Sequence, residues 1–186
     1  MIGYAITGSF CTINKSIVVL KKLREKGMDI IPIMSENAFN TSTRFGDAKH
    51  FRERIERITG KDIINKIIDA EPLGPQFSLD AMVICPCTGN TLAKIANGIT
   101  DTAVCMAAKA HLRNDKPLII ALASNDALSG NLKNIATLLN RKHVYFVPMV
   151  QDDVVNKPHS LVSDFSLLEE TIEYALAGKQ YYKLFI

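Results

Sequence analysis

The sequence predicts an α/β fold, a single Rossmann-like three-layer domain spanning residues 1–186 with a doubly wound parallel sheet. Three observations predict it. Short apolar, partly β-branched runs alternate with segments of helical periodicity. The connections between them are short and rich in turn residues. Two of the strand-to-helix turns, at 8–9 and 86–91, consist of small polar residues of the kind that expose backbone N–H groups.

The first strand is expected at 2–7, followed by Gly8-Ser9 and an amphipathic helix over 14–26 that ends at Gly27 as a C-terminal cap. A second strand, 29–34, ends in Ser35, and 40–46 reads as a polar loop. Helical periodicity runs over 47–59 and 62–69, broken by Gly60. Glu71-Pro72-Leu73-Gly74-Pro75 is a turn-rich crossing to a strand at 81–85, apolar enough to be covered on both faces, whose ladder Pro86 is expected to stop. Beyond the 88–91 turn and its helix come a helix near 102–112, a strand at 118–123, a helix near 132–140 and a strand at 144–148. A linker holding Pro158 leads to a final helix at about 167–177, capped by Gly178.

Composition sets bounds on function. With 186 residues and 47% hydrophobic content the chain can bury a sizeable core, and a net charge of +3 is too small and too scattered for a nucleic-acid surface. Arg52, Arg54 and Arg57 interleave with Glu53 and Glu56, the pattern of a solvated, salt-bridged helix face. No signal peptide opens the chain and no apolar run spans a bilayer, so a soluble, cytoplasmic protein is expected.

Four cysteines without metal or redox spacing are expected to be reduced, with Cys85 and Cys105 as core residues. Cys11 and Cys87 fall in the two polar turns and are expected to pack beneath a bound ring; a reactive thiolate, its pKa lowered by a helix N-terminus, is the alternative role. His50, His111, His143 and His159 are dispersed, which argues against a metal site. His50 is expected to be exposed, and His111 to sit as a cation at a helix C-terminus.

Thr88, Gly89, Asn90 and Thr91 at a helix start favour a phosphate or carboxylate, and Gly8 and Ser9 repeat the arrangement. Helix capping alone also explains such residues. No G-x-G-x-x-G is present, so one phosphate fits better than a pyrophosphate. Ligands of doubly wound sheets bind beyond the carboxyl ends of the strands, which collects Gly8, Ser9, Ser35, Cys87 to Thr91, Ser124, Asn125 and Asp126 on one edge.

The run Pro86-x-Thr88-Gly89-Asn90-Thr91-x-x-Lys94-x-Ala96-x-Gly98-Ile99-x-Asp101 resembles the Pro-x-Ser-x-Asn-Thr-x-x-Lys-x-Ala-x-Gly-x-x-Asp signature of the flavoprotein superfamily, which includes flavin-containing cysteine decarboxylases and flavin prenyltransferases. The resemblance implies the flavoprotein fold and an FMN site at Gly8, Ser9, Ser35, Thr88, Gly89, Asn90, Thr91, Ser124 and Asn125, with Asp126, Ala127, Leu128 and Asn134 nearby. A closer resemblance, to the B-type dipicolinate synthase family of spore-forming bacteria, rests on Thr7-Gly8-Ser9-x-Cys11-Thr12, Thr43-Arg44-Phe45-Gly46, 70–75, Met106-Ala107-Ala108-Lys109-Ala110, Ser124 to Leu128 and Gln151-Asp152-Asp153. It implies oxidation of dihydrodipicolinate to dipicolinate, the calcium-chelating acid of spores. It also implies a partner, the A-type subunit of dipicolinate synthase, which resembles NAD(P)-dependent dehydrogenases, and the cytoplasm of a sporulating mother cell.

Departures from the decarboxylase branch are equally informative: 72–75 lacks that branch's histidine, and its Trp-containing C-terminal clamp is missing from a chain with no Trp. The reaction removes a hydride and a proton from a ring that becomes aromatic, so a flavin or nicotinamide acceptor and anion recognition suffice. Arg44, beside Phe45, is the candidate for the dicarboxylate substrate, unless it only ties its loop to a neighbouring acid. Lys94, one turn from the N-terminal amides, is expected on a helix surface or a subunit interface. Three roles follow: an oxidoreductase subunit with FMN, a non-catalytic partner that assembles or activates the dehydrogenase-like one, or a flavin-dependent decarboxylase or prenyltransferase. Family resemblance further implies a homo-oligomer, a trimer or a multiple of one, without membrane or nucleic-acid contacts.

Overall fold

The computed structural model describes residues 1–74 and 77–186. In chain order the strands are β1 (Ile2–Ile6), β2 (Ile30–Met34), β3 (Ala81–Thr88), β4 (Leu118–Ser124), β5 (Val144–Phe146), β6 (Met149–Val150) and β7 (Leu161–Ser163). The helices are α1 (Phe10–Glu25), α2 (Glu36–Asn40), α3 (Ala48–Thr59), α4 (Ile67–Ala70), α5 (Gly89–Ala96), α6 (Ala103–Leu112), α7 (Leu132–Leu139) and α8 (Leu168–Leu176).

Strands β2, β1, β3, β4 and β5 lie side by side in parallel, as expected of strands linked through helices. The sheet is nevertheless mixed. β5 covers only the first half of β4, and the vacated edge at Ala123 and Ser124 is taken by β7 running antiparallel, which in turn pairs antiparallel with β6. β6 and β7 have no counterpart among the expected strands because two- and three-residue strands carry too little periodicity to register.

The three-layer expectation follows from side-chain alternation along the central strands. Tyr4, Ile6, Val83, Cys85, Ile119 and Ala121 point to the face covered by α1, α3 and α8. Ala5, Met82, Ile84, Cys87, Ile120 and Leu122 point to the face covered by α5, α6 and α7.

Several expectations need correction. Pro86 does not end its strand: β3 continues to Thr88 past a cis Cys85–Pro86 bond, with a register shift between Ile84 and Cys87 that absorbs the missing N–H. Residues 62–69 are not one helix. Ile64 bridges Ile33 at the β2 edge, accepting from the Met34 N–H and donating to Pro32 O, so only Ile67–Ala70 is left to coil. Glu36–Asn40 is helical, capped by Ser35, and α1 begins at Phe10 rather than 14. The ion pair on α3 is Lys49–Glu53 at 3.9 Å; among the described residues its arginines do not pair with its glutamates, Arg54 donating to Asn14 Oδ1 and Arg52 to Phe39 O with its guanidinium over the Phe39 ring. Gly60 adopts the left-handed conformation at the end of α3, as the cap position requires. Of the 70–75 segment, Glu71–Leu73 forms a 3₁₀ turn, and Pro75 lies outside the described residues.

Candidate functional site

The strand order reverses between β1 and β3, and the turns that follow these neighbours converge. Thr7 stitches them together. Its Oγ1 donates to Pro86 O at 2.8 Å and accepts from the Thr88 N–H at 2.9 Å, while its own N–H reaches Pro86 O. The N-termini of α1 and α5 therefore open side by side at the carboxyl edge of the sheet.

At α1, Ser9 occupies the N-cap position without capping through its side chain. The Thr12 hydroxyl donates its one proton to Ser9 O at 2.9 Å, and Ser9 Oγ lies 3.0 Å from Thr12 Oγ1. At α5, Thr88 Oγ1 accepts from the Thr91 N–H at 3.2 Å and donates to Thr91 Oγ1 at 3.1 Å, so the Thr91 O–H is the free end of that chain. Ser35 Oγ accepts from the Ala38 N–H and keeps its own proton to donate. Capping and ligand contact are thus compatible at Ser35, because a cap uses a lone pair and leaves the O–H.

The end of β4 contributes a polar network. Asp126 Oδ1 accepts from Ser124 Oγ at 2.5 Å, and both its oxygens lie 2.9 Å from Asn131 Nδ2. Asn131 Oδ1 accepts in turn from Asn134 Nδ2 at 2.8 Å. The Ser124 hydroxyl and then the Asn131 amide hold the Asp126 carboxyl below its ordinary pKa, so it is ionised at neutral pH.

Two clefts, of about 400 and 820 Å³, share Gly8, Phe10, Thr88 and Asn90. Ser35, Asn37 and Thr91 line the smaller one; Ser9, Gly89, Ser124, Asn125 and Asp126 line the larger. The structure thus brings together Gly8, Ser9, Ser35, Thr88, Gly89, Asn90, Thr91, Ser124 and Asn125. Arg44 stands apart: it is exposed, its guanidinium lies 4.9 Å from the Phe45 ring centroid, and Phe45 rather than Arg44 lines the larger cleft. No ion pair to Arg44 occurs among the described residues. Lys94 also lines the smaller cleft, pairing with Asp101 at 2.8 Å.

Sequence reasoning missed Phe10, Lys15, Asn131, Asp152 and Lys157, all in the larger cleft. Lys15 sits one helical turn beyond Cys11 on α1, a spacing that places it within reach of the same rim. Asp152 and Lys157 arrive on the β6–β7 connection, where the sequence offers the Gln151-Asp152-Asp153 run as a mark of family resemblance but no site role. Cys87 is fully buried and desolvation pushes its thiol pKa well up, which argues against the alternative of a thiolate activated by the helix N-terminus. Cys11 is exposed and lines the larger cleft. His111 is likewise buried, not a surface cation: desolvation lowers its pKa, and Nε2 lies 2.9 Å from Pro117 O.

A parallel-sheet core whose reversal point opens into a hydroxyl-lined double cleft agrees with the sequence comparisons: a Flavoprotein family model matches residues 1–166, and the chain belongs to that family. Its similarity to the B subunit of dipicolinate synthase from Bacillus subtilis (strain 168) is 42% identity over 179 residues, 96% of this chain and 90% of that protein. The crystal structure of the dipicolinate synthase B subunit from Bacillus halodurans C superposes with a TM-score of 0.92 at 42% identity, covering 100% of this chain and 95% of that one. AnUbiX (PadA1), crystallised with FMN and dimethylallyl pyrophosphate, shares the fold at a TM-score of 0.65 and 22% identity, covering 94% of this chain and 87% of that one. Among the described residues no helix is long and apolar enough to cross a membrane.

Proposed function

We propose that the chain is the B-type subunit of a dipicolinate synthase, acting as one flavoprotein-like unit over residues 1–186 with FMN held in the double cleft. The observation that carries this reading is the convergence of Gly8, Ser9, Ser35, Thr88, Asn90, Thr91, Ser124 and Asn125 on two joined clefts at the reversal point of the sheet. The donor set fits a mononucleotide. The hydroxyls of Ser35 and Thr91 retain a proton to donate, Ser9 leaves the first amides of α1 without a side-chain cap, and the combined space suits a cofactor-sized ligand.

When bound, FMN supplies a two-electron acceptor for a ring that becomes aromatic on losing a hydride and a proton. The chain's own residues bind and orient. Hydroxyls and amides at the two helix starts take the charged tail, Phe10 and Phe45 offer apolar surface to a planar ring, and the ionised Asp126 stays fixed between Ser124 and Asn131. The partner is the dehydrogenase-like A-type subunit carrying NAD(P), the substrate is the dicarboxylate dihydrodipicolinate, and the place of action is the cytoplasm of a sporulating mother cell. Oligomers, trimers or multiples of them, fit the same reading.

The test is to assay dihydrodipicolinate oxidation by the two proteins separately and together, recording the flavin absorbance band during turnover. Transient bleaching of that band in the mixture supports a redox role here. Faster turnover by the dehydrogenase-like partner in the presence of a flavin-free chain assigns this protein to assembly or activation instead.

A further inference from the structure

The larger cleft carries two cations, Lys15 and Lys157, besides the hydroxyls and amides at the helix starts assigned above to the phosphate. Lys15 projects from α1, and Lys157 from the connection between β6 and β7, so they approach the same cleft from different elements. We propose that Lys15 and Lys157 form a two-point recognition site for the carboxylates of a planar ring dicarboxylate, with Phe10 and Phe45 as its apolar walls. The proposal rests on the dicarboxylate reading given above and assigns the residues that read it.

Charge in the cleft supports the assignment. Of its two carboxylates, Asp126 accepts from Ser124 and Asn131, and Asp152 pairs with Lys157 at 3.2 Å, a pair that a bound carboxylate has to replace. Lys15 has no ion-pair partner among the described residues. The Lys157 pair is half-exposed and single, the kind that contributes little and exchanges readily for a better anion.

Lys157 is also held by an ordered loop. Asp153 Oδ1 accepts from the Asn156 N–H at 2.9 Å, Asp153 O accepts from the Lys157 N–H at 2.9 Å, and Gln151 Nε2 donates to Pro158 O at 3.0 Å. The loop is tied to the segment that follows β4, where the Leu128 N–H donates to His159 O at 2.9 Å. The Gln151-Asp152-Asp153 run thus has a physical role as the frame that presents this lysine. Arg44, its guanidinium over the Phe45 ring, is not part of the lining that both lysines share.

The test is calorimetric titration of the full chain with pyridine-2,6-dicarboxylate and with pyridine-2-carboxylate in metal-free buffer, with and without FMN. Lys15→Gln, Lys157→Gln and the double variant are compared, and thermal melts confirm that these exposed positions leave the fold intact. The expected result is preference for the dicarboxylate and a loss of at least about tenfold in its affinity in the double variant, with FMN affinity changed by less than about twofold. Equal affinity for both acids, undiminished dicarboxylate binding in the double variant, or no dicarboxylate binding by the parent protein overturns the proposal. Because FMN binding is read separately, a chain that binds the dicarboxylate through these lysines but no flavin retains this site and loses only the cofactor assignment.

Discussion

A Cβ placed on Gly89 would meet the Ser124 hydroxyl oxygen well inside van der Waals contact, so the start of α5 and the end of β4 touch with no room for a side chain between them. Asn131 Nδ2 and Asp126 Oδ1 crowd the same point at 2.6 and 2.9 Å. The glycine in the Thr-Gly-Asn-Thr turn is therefore required by protein packing, whatever the cleft holds.

Gly89→Ala is expected to destabilise the fold by about 1–3 kcal/mol, since the added methyl must displace a hydrogen-bonded network rather than a flexible chain end. Thermal unfolding of the variant against the parent checks this; an unchanged melting temperature would mean that the network relaxes freely.

Asp126 gives a pH prediction with a definite sign. Its folded pKa lies below the ordinary carboxyl value through the Ser124 hydroxyl and the Asn131 amide. The stability it contributes is thus present above the unfolded pKa and is lost as pH falls through the folded one. Asp126→Asn is expected to melt below the parent at neutral pH, and the gap is expected to narrow below about pH 4. Melting curves of the two proteins across that range measure the gap.

Tyr4 is fully buried beneath α1, donating to Ser16 O at 3.1 Å with Ser16 Oγ 3.0 Å away, while Ser16 Oγ donates to Cys85 O at 2.5 Å. Tyr4→Phe keeps the ring and removes the hydroxyl, so a loss of about 1 kcal/mol is expected in chemical denaturation. Ser16→Ala disturbs the same chain, and the two losses are expected to be less than additive.

Thiol accessibility separates the four cysteines. Cys85, Cys87 and Cys105 are buried, and burial raises all three thiol pKa values, that of Cys85 to about 12. Only Cys11 is exposed. An aromatic disulfide reagent is expected to modify Cys11 quickly in the native protein and the other three only on unfolding, with FMN slowing the native reaction because Cys11 lines the larger cleft. Mass spectrometry of the modified peptides checks the site.

The sheet and the hydroxyl-lined rim are legible in the sequence because both are local properties of it. Apolar strands covered on two faces appear as continuous runs, and caps such as Thr88 and Thr102 sit beside the helices they start. What stays hidden depends on contacts distant in sequence. Ile64 extends along β2 because of Pro32 and Met34, and β7 exists because β5 leaves the end of β4 unpaired. Lys157 reaches the cleft through bonds within its own loop and to Leu128, which no pattern of spacing announces. Arg44 has the chemistry of an anion receptor and lies in the right loop, but that loop turns Phe45, not Arg44, toward the cleft.

The central claim is that the joined clefts hold a mononucleotide's charged tail through hydroxyls at the strand ends. Titration of the purified chain with FMN, followed by quenching of flavin fluorescence, tests it most directly, with Ser9→Ala and Ser35→Ala for comparison. The account predicts saturable, equimolar binding that each variant weakens by about tenfold without changing the fold. Absence of quenching by the parent protein, or variants that bind FMN as tightly as the parent does, would contradict it.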